Sequence, residues 1–277
     1  MNSTRLGAQS RPLDNRDIQL GAVQAPVKVP DVFLPDYHIT RNYQGQTPTC
    51  GEHAGSHLKA VQETIESGSP RRFSPRYLWM LIKQVDGCAL ESGTDMRSIF
   101  RTLFTKGALP HGLVQDDVNL PLEQYSDRSI ETPELDARAH ENLIGSYVFF
   151  DGPAITFEAV RQAVYVNKVV LLLGLVDEGF WHTQYPTFTS PKYGHFFVAD
   201  GYNETHLRVL DSAEPEEGKA QKWIRKEDVR YPFFLEAGIA KDLPNWWVQG
   251  LTSQVALLRE VTKFLILLKG RQTLPNQ

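Results

Sequence analysis

Gln44-Gly45-Gln46-Thr47-Pro48-Thr49-Cys50, followed by Ala54, Leu58, Val61 and Ile65, is the stretch from which the rest of the chain can be read. Apolar residues that return every three or four positions predict a helix beginning at about Cys50. Thr49 is the candidate N-cap, which puts Cys50 in the first turn. Amide N–H groups in a first turn have no partner within the helix, and the dipole is positive there, so a thiol at that place is biased toward thiolate. The thiolate is the nucleophilic form, which makes Cys50 a candidate for covalent catalysis.

Composition narrows the classes around that candidate. A chain of 277 residues suits one large domain or two lobes sharing an interface, and 41% hydrophobic with 22% charged residues is ordinary for a globular protein. The net charge of −4, without a long basic run, argues against nucleic acid or an anionic membrane as the main partner. Cys50 and Cys88 are the two cysteines, so no disulfide framework is expected. Residues 1–26 lack the apolar core of a signal peptide, and a cytoplasmic, reducing setting follows as the expectation. No cofactor is expected.

Outward from Cys50, residues 1–35 sustain no apolar period and read as an N-terminal arm. Ser74-Pro75 is a helix start with Leu78, Leu81 and Ile82 on the apolar face. Gly93-Thr94-Asp95-Met96 opens another helix, periodic through Ile99, Phe100 and Leu103 and stopped at Gly107. These segments make 36–140 a helical lobe. From about residue 145 the period changes: a strand near 146–150, a helix at 156–167, and a continuous apolar run at 169–176 that suits a buried strand. The segment 141–244 therefore reads as a β-rich lobe.

Within that lobe, 196–202 and 206–210 flank Asn203-Glu204-Thr205, a hairpin signal. His195 lies eight residues before Asn203 and Asp211 eight after it. Opposed residues on antiparallel strands share a face, with Cβ atoms about 5 Å apart, so this register predicts a carboxylate beside an imidazole.

Together these motifs resemble the papain-like cysteine peptidases. The shared pattern includes Gln44-Gly45 six residues ahead of Cys50, Ser74-Pro75 with Tyr77-Leu78, Gly93-Thr94, and Gly107 with Pro110. It also includes Gly194-His195 ahead of an apolar strand ending in Gly201-Tyr202, and the acidic turn with an aromatic at Asp177 and Phe180. The resemblance runs over about residues 36–240. It implies an α+β fold of two lobes, helical and antiparallel β-rich, with an active-site cleft between them. It further implies a thiol protease acting on peptide or protein substrates, with Cys50 as nucleophile, His195 as its base, Asp211 orienting the ring and Gln44 serving the oxyanion hole. The chain departs from the family at four places: Thr47 replaces a frequent disulfide cysteine, Gly51 a tryptophan, Asp211 the usual asparagine, and Ala213 the tryptophan that shields it.

Rival readings use some of the same residues. Cys50, His53 and His57 stand at i, i+3 and i+7 on one helix face and could form a zinc set. A papain-like scaffold lacking both tryptophans could be an inactive binding module, and a Cys-His-Asp transglutaminase would share the chemistry of the triad. Cys88 reads as an inert thiol, and His182 as an incidental histidine with lining of the cleft as the alternative. In the remaining segment, 245–277, Leu251, Leu258, Val261, Leu265 and Leu268 form a heptad-like seam. That amphipathic helix is too short in its uncharged part to span a bilayer, and it would dock on its own domain or self-associate.

Overall fold

A computed structural model describes residues 8–11 and 27–242. The expected tail helix at 245–277 lies outside the described residues.

Among the described residues, five helices of two turns or more precede or interleave with six strands. They are α1 (Cys50–Ser67), α2 (Pro75–Ile82), α3 (Met96–Thr105), α4 (Pro133–His140) and α5 (Phe157–Asn167). The strands are β1 (Ile144–Asp151), β2 (Val170–Val176), β3 (Tyr193–Tyr202), β4 (His206–Leu210), β5 (Gln221–Arg225) and β6 (Phe234–Asp242). They form one antiparallel sheet in the order β1-β6-β2-β3-β4-β5. The architecture is α+β, as the sequence implies.

The helix boundaries follow side-chain chemistry. Ser74 accepts a hydrogen bond from the Tyr77 amide at the head of α2, with Pro75 supplying a preset φ in the first turn. Asp95 accepts from the Ser98 amide at the head of α3, and Thr156 from the Ala159 amide at the head of α5. Gly107 ends the α3 segment with φ +80, and a β-carbon there would collide with the Ala139 carbonyl.

Both faces of the sheet's middle are covered, which explains the unbroken apolar run of β2. Leu171, Leu173, Phe196 and Val198 pack with Cys50, Leu58, Val61, Ile99 and Phe100 of α1 and α3. Their alternate neighbours Val170, Leu172, Phe197 and Ala199 pack with Val160 and Val164 of α5 and with Val209, Ile224 and Phe234. Burying a side chain of this size contributes about 1.5–3 kcal/mol, so the two layers together fix the level of α1 against β3. Gly238 of β6 admits Phe100 and Met96, which would overlap any β-carbon placed there.

The β3–β4 hairpin corrects the expected register. Its turn closes with the Asn203 amide donating to the His206 carbonyl, and Tyr202 pairs with Leu207. Beyond the turn a bulge at Asp200 shifts the pairing, so that Ala199 faces Val209 and Val198 faces Leu210. Asp211 thus follows on at the level of Phe197 rather than directly opposite His195. The extra residue restores the parity that the turn removes, and Asp211 returns to the face of the sheet that carries His195.

Candidate active site

Cys50 is the first residue of α1 and is fully buried. Thr49 occupies the N-cap position but makes no capping bond with its side chain. Its hydroxyl pairs instead with the Thr47 hydroxyl (2.5 Å) and His53 Nδ1 (3.1 Å). Gly51 is required by packing: a β-carbon would stand 2.9 Å from Ile99 Cδ1 and Thr94 Cγ2 and 3.2 Å from the Phe196 ring. The tryptophan common in relatives has no room here.

Gln44 is held at both ends. Its main-chain amide donates to the Ser212 carbonyl (2.9 Å), its side-chain Nε2 donates to the Thr47 carbonyl (2.9 Å), and its Oε1 accepts from the Ser212 hydroxyl (2.7 Å). Ser212 adjoins Asp211, so one short link joins the turn before α1 to the turn after β4.

His195 and Asp211 meet through Nε2 and Oδ1 at 2.8 Å, both side chains without exposure. Oδ1 also accepts from the Ala213 amide at 2.8 Å. The other ring nitrogen, Nδ1, has no hydrogen-bond partner among the described residues, and the Cys50 thiol is an electrostatic neighbour of the ring. Burial disfavours the charged ring, but the hydrogen bond to Asp211 and the neighbouring Cys50 thiol outweigh it and push the pKa up to about 9. Burial likewise opposes the charged form of Asp211, and His195 with Lys222 nevertheless holds its carboxyl below the ordinary range.

Two features of the site escape the sequence reading. Trp181, from the segment after β2, stands edge-on to the His195 ring with centroids 5.6 Å apart, joined by Phe180 at 5.9 Å and Phe197 at 5.6 Å. Asp177 fixes that segment by accepting from the amides of Gly179, Thr189 and Ser190. An aromatic shield is therefore present although Ala213 is not tryptophan. The second feature is Lys222 of β5, fully buried, 3.7 Å from Asp211 Oδ2 and 3.1 Å from Glu214. A lone lysine in a strand gives no signal in sequence that it faces inward.

Residues 8–11 lie along the same region. The Gln9 amide donates to the Thr94 carbonyl (2.9 Å), and Ala8 abuts Gly194, where a β-carbon would collide with its carbonyl. The Arg11 amide donates to Glu236 (2.9 Å), and its guanidinium pairs with Asp151 and Glu236 over the Phe149 ring.

The proposed zinc set does not assemble. His53 spends Nδ1 on the Thr49 carbonyl (2.8 Å) and Nε2 on Asp116 (2.9 Å). Cys50, His53 and His57 are not among the groups whose ligand atoms converge. Burial pushes the pKa of His57 down to about 4. His182, Glu214 and Glu216 do bring ligand atoms together, but Lys222 already pairs with Glu214. His182 lies near the site through its main chain, its amide donating to Glu214 (2.8 Å). Cys88 is half-buried and a free thiol, donating to Gln9 Oε1 and the Asp86 carbonyl, and burial followed by Asp86 raises its pKa.

The fold is that of the papain-like cysteine proteases. Among solved structures the chain is similar to xylellain, a cysteine protease from Xylella fastidiosa, with a TM-score of 0.72 at 16% identity over 86% of this chain and 96% of that one. It is similar to digestive procathepsin L2 proteinase from Tenebrio molitor larval midgut (TM-score 0.67, 15% identity, 86% and 79% covered). It is also similar to the bromelain protease from Ananas comosus solved with the E64 inhibitor (TM-score 0.58, 12% identity, 78% and 100% covered). No protein-family model and no curated protein sequence matches the chain. Among the described residues no helix is long and apolar enough to cross a membrane.

Proposed function

We propose that this chain is a cysteine peptidase that hydrolyses peptide bonds in extended peptide or protein substrates. The observation that carries the reading is the 2.8 Å His195–Asp211 hydrogen bond in a site closed to solvent, with the Cys50 thiol as the ring's other neighbour. In this reading His195 takes the thiol proton and Cys50 Sγ attacks the carbonyl carbon. The Cys50 amide and the Gln44 side chain stabilise the developing oxyanion, a contribution of about 3–4 kcal/mol per donor. His195 then protonates the leaving amine, and water cleaves the thioester. Asp211 keeps the ring proton on Nε2 throughout. The Ala8–Gln9 segment supports an extended substrate: it lies close to Gly194, and its Gln9 amide donates to the Thr94 carbonyl, a main-chain group that a peptide could use.

Two free cysteines suit a reducing compartment, and we assign the protein to the cytoplasm on that ground. A second reading, an inactive binding scaffold, draws on the complete burial of Cys50 and His195. Hydrolysis of a fluorogenic peptide library, with labelling of Cys50 by an epoxide or chloromethylketone, separates the two. Turnover lost in Cys50→Ala supports the peptidase; neither turnover nor labelling at any pH supports the scaffold.

A further inference from the structure

We propose, resting on the peptidase reading, that Lys222 is a positioning residue for the triad: its buried amino group demands a carboxylate rather than a carboxamide at position 211 and holds Oδ1 toward His195.

The two oxygens of Asp211 are used differently. Oδ1 accepts from both His195 and the Ala213 amide. Among the described residues Oδ2 is buried and accepts no hydrogen bond, and Lys222 Nζ, 3.7 Å away, is the cation that faces it. An unbalanced buried carboxylate is costly, so this cation is what lets Asp211 remain charged when the ring is neutral. Lys222 is itself fixed. It donates to the Thr183 carbonyl (3.0 Å), pairs with Glu214 (3.1 Å) and stands 4.9 Å above the Phe180 ring. Its contacts therefore reach both the turn that carries Asp211 and the segment that carries Trp181.

The other charged groups nearby leave this assignment to Lys222. Arg41 reaches the turn through the carbonyls of Asp211, Ser212 and Glu214 and pairs its guanidinium with Glu217. Glu216 pairs with Lys219 at the surface. His182 Nδ1 faces Glu214 at 3.6 Å, and Cys50 neighbours the His195 ring, which bonds Asp211 through Oδ1.

An asparagine at 211 has two orientations here, and both fail. With its oxygen kept toward His195, its NH2 group points at the lysine, donor against cation. Turned over, it offers NH2 to the ring and to the Ala213 amide, and forces the neutral imidazole to carry its proton on the nitrogen nearer the thiol. Either way the carboxamide is incompatible with Lys222 as placed.

The test follows the ring directly. Protein labelled with [15N]histidine, its His195 signals assigned through His195→Gln, is titrated for the parent, Asp211→Asn, Lys222→Met and Asp211→Asn/Lys222→Met. The same four are repeated with Glu214→Gln, so that no variant is left with an unpaired buried carboxylate at 214. Expected is an Nε2–H tautomer in the parent, a shift toward Nδ1–H in Asp211→Asn, and a return to Nε2–H when Lys222→Met is added. Lys222→Met alone should make His195 titrate higher, because the opposing cation is gone. On a cleaved peptide the double variant should exceed Asp211→Asn at least about tenfold in kcat with KM unchanged. Asp211→Asn that keeps the parent's tautomer, or a double variant no better than Asp211→Asn, overturns the proposal. A parent that cleaves no peptide rejects the peptidase reading, while the tautomers still decide the role of Lys222.

Discussion

His195 and Asp211 meet on a diagonal across the β3–β4 hairpin, two positions off the direct pair, because Asp200 bulges out between them. The bulge is clamped: Arg208 donates from Nε to Asp200 Oδ1 (2.8 Å) and from Nη2 to the Pro35 carbonyl (2.6 Å). The geometry of the pair therefore depends on a main-chain irregularity secured by an ion pair.

In the proposed peptidase, the ring's raised pKa sets the upper limit of activity. A proton held up to about pH 9 keeps the imidazolium partner of a thiolate present below that pH and loses it above. The upper limb of kcat/KM against pH should fall near 9. In Asp211→Ala, burial is no longer outweighed, so the limb moves down and kcat/KM falls by about 10³- to 10⁴-fold, the scale typical of losing the orienting acid. An unmoved limb with full activity would show that Asp211 does not act on the ring.

Trp181 shields the pair from water. Trp181→Ala should lower kcat/KM about 10- to 100-fold, because hydrogen bonds weaken as the local dielectric rises. Trp181→Phe should restore most of it. The comparison is made on one peptide, with thermal melts confirming that both variants are folded. Equal activity of all three proteins would remove Trp181 from the site's function.

Arg11 holds residues 8–11 against Gly194 and Thr94 through Glu236 and Asp151. Arg11→Ala should raise the rate at which iodoacetamide modifies Cys50 at pH 6. Cys88 should stay slow at that pH, since burial and Asp86 push its thiol up. Mass-spectrometric peptide mapping reads both rates in one sample, and an unchanged Cys50 rate would show that the arm does not limit access.

Glu52, in the first turn of α1, is fully buried with no hydrogen bond to either carboxylate oxygen among the described residues. Desolvation raises its pKa to about 8 from the ordinary 4.5. Between those values the folded chain keeps a proton that the unfolded chain has released, so stability should fall as pH rises from 4.5 to 8. Glu52→Gln should flatten that part of a Tm-against-pH curve and melt higher than the parent at pH 8. A parent whose Tm is level across the interval would contradict it.

The helix that carries the candidate nucleophile was legible from its clean period, and α2, α3 and α5 also begin with a side-chain cap. Ser74-Pro75, Asp95 and Thr156 stand at the observed starts of α2, α3 and α5. The buried strand β2 was legible as an apolar run. β6 was not: Glu236-Ala237-Gly238 is small and charged, and its place between β1 and β2 rests on close approach by Phe100 and on the Arg11–Glu236 pair. As candidates, Cys50, His195, Asp211 and Gln44 were each visible from spacing and resemblance. Trp181 and Lys222 were not, because they reach the pair from segments remote in sequence whose facing direction depends on the tertiary fold.

Ala8 to Arg11 belong to the same chain as Gly194, and that makes their contact a matter of effective concentration. A tethered segment meets its site at a local concentration of the millimolar order however dilute the protein is. Occupancy by the arm is then independent of protein concentration. A peptide using the same main-chain groups, as proposed, would have to outcompete a local partner of fixed strength, and a single cut between Arg11 and Val27 would turn a tethered neighbour into an ordinary, dilutable ligand.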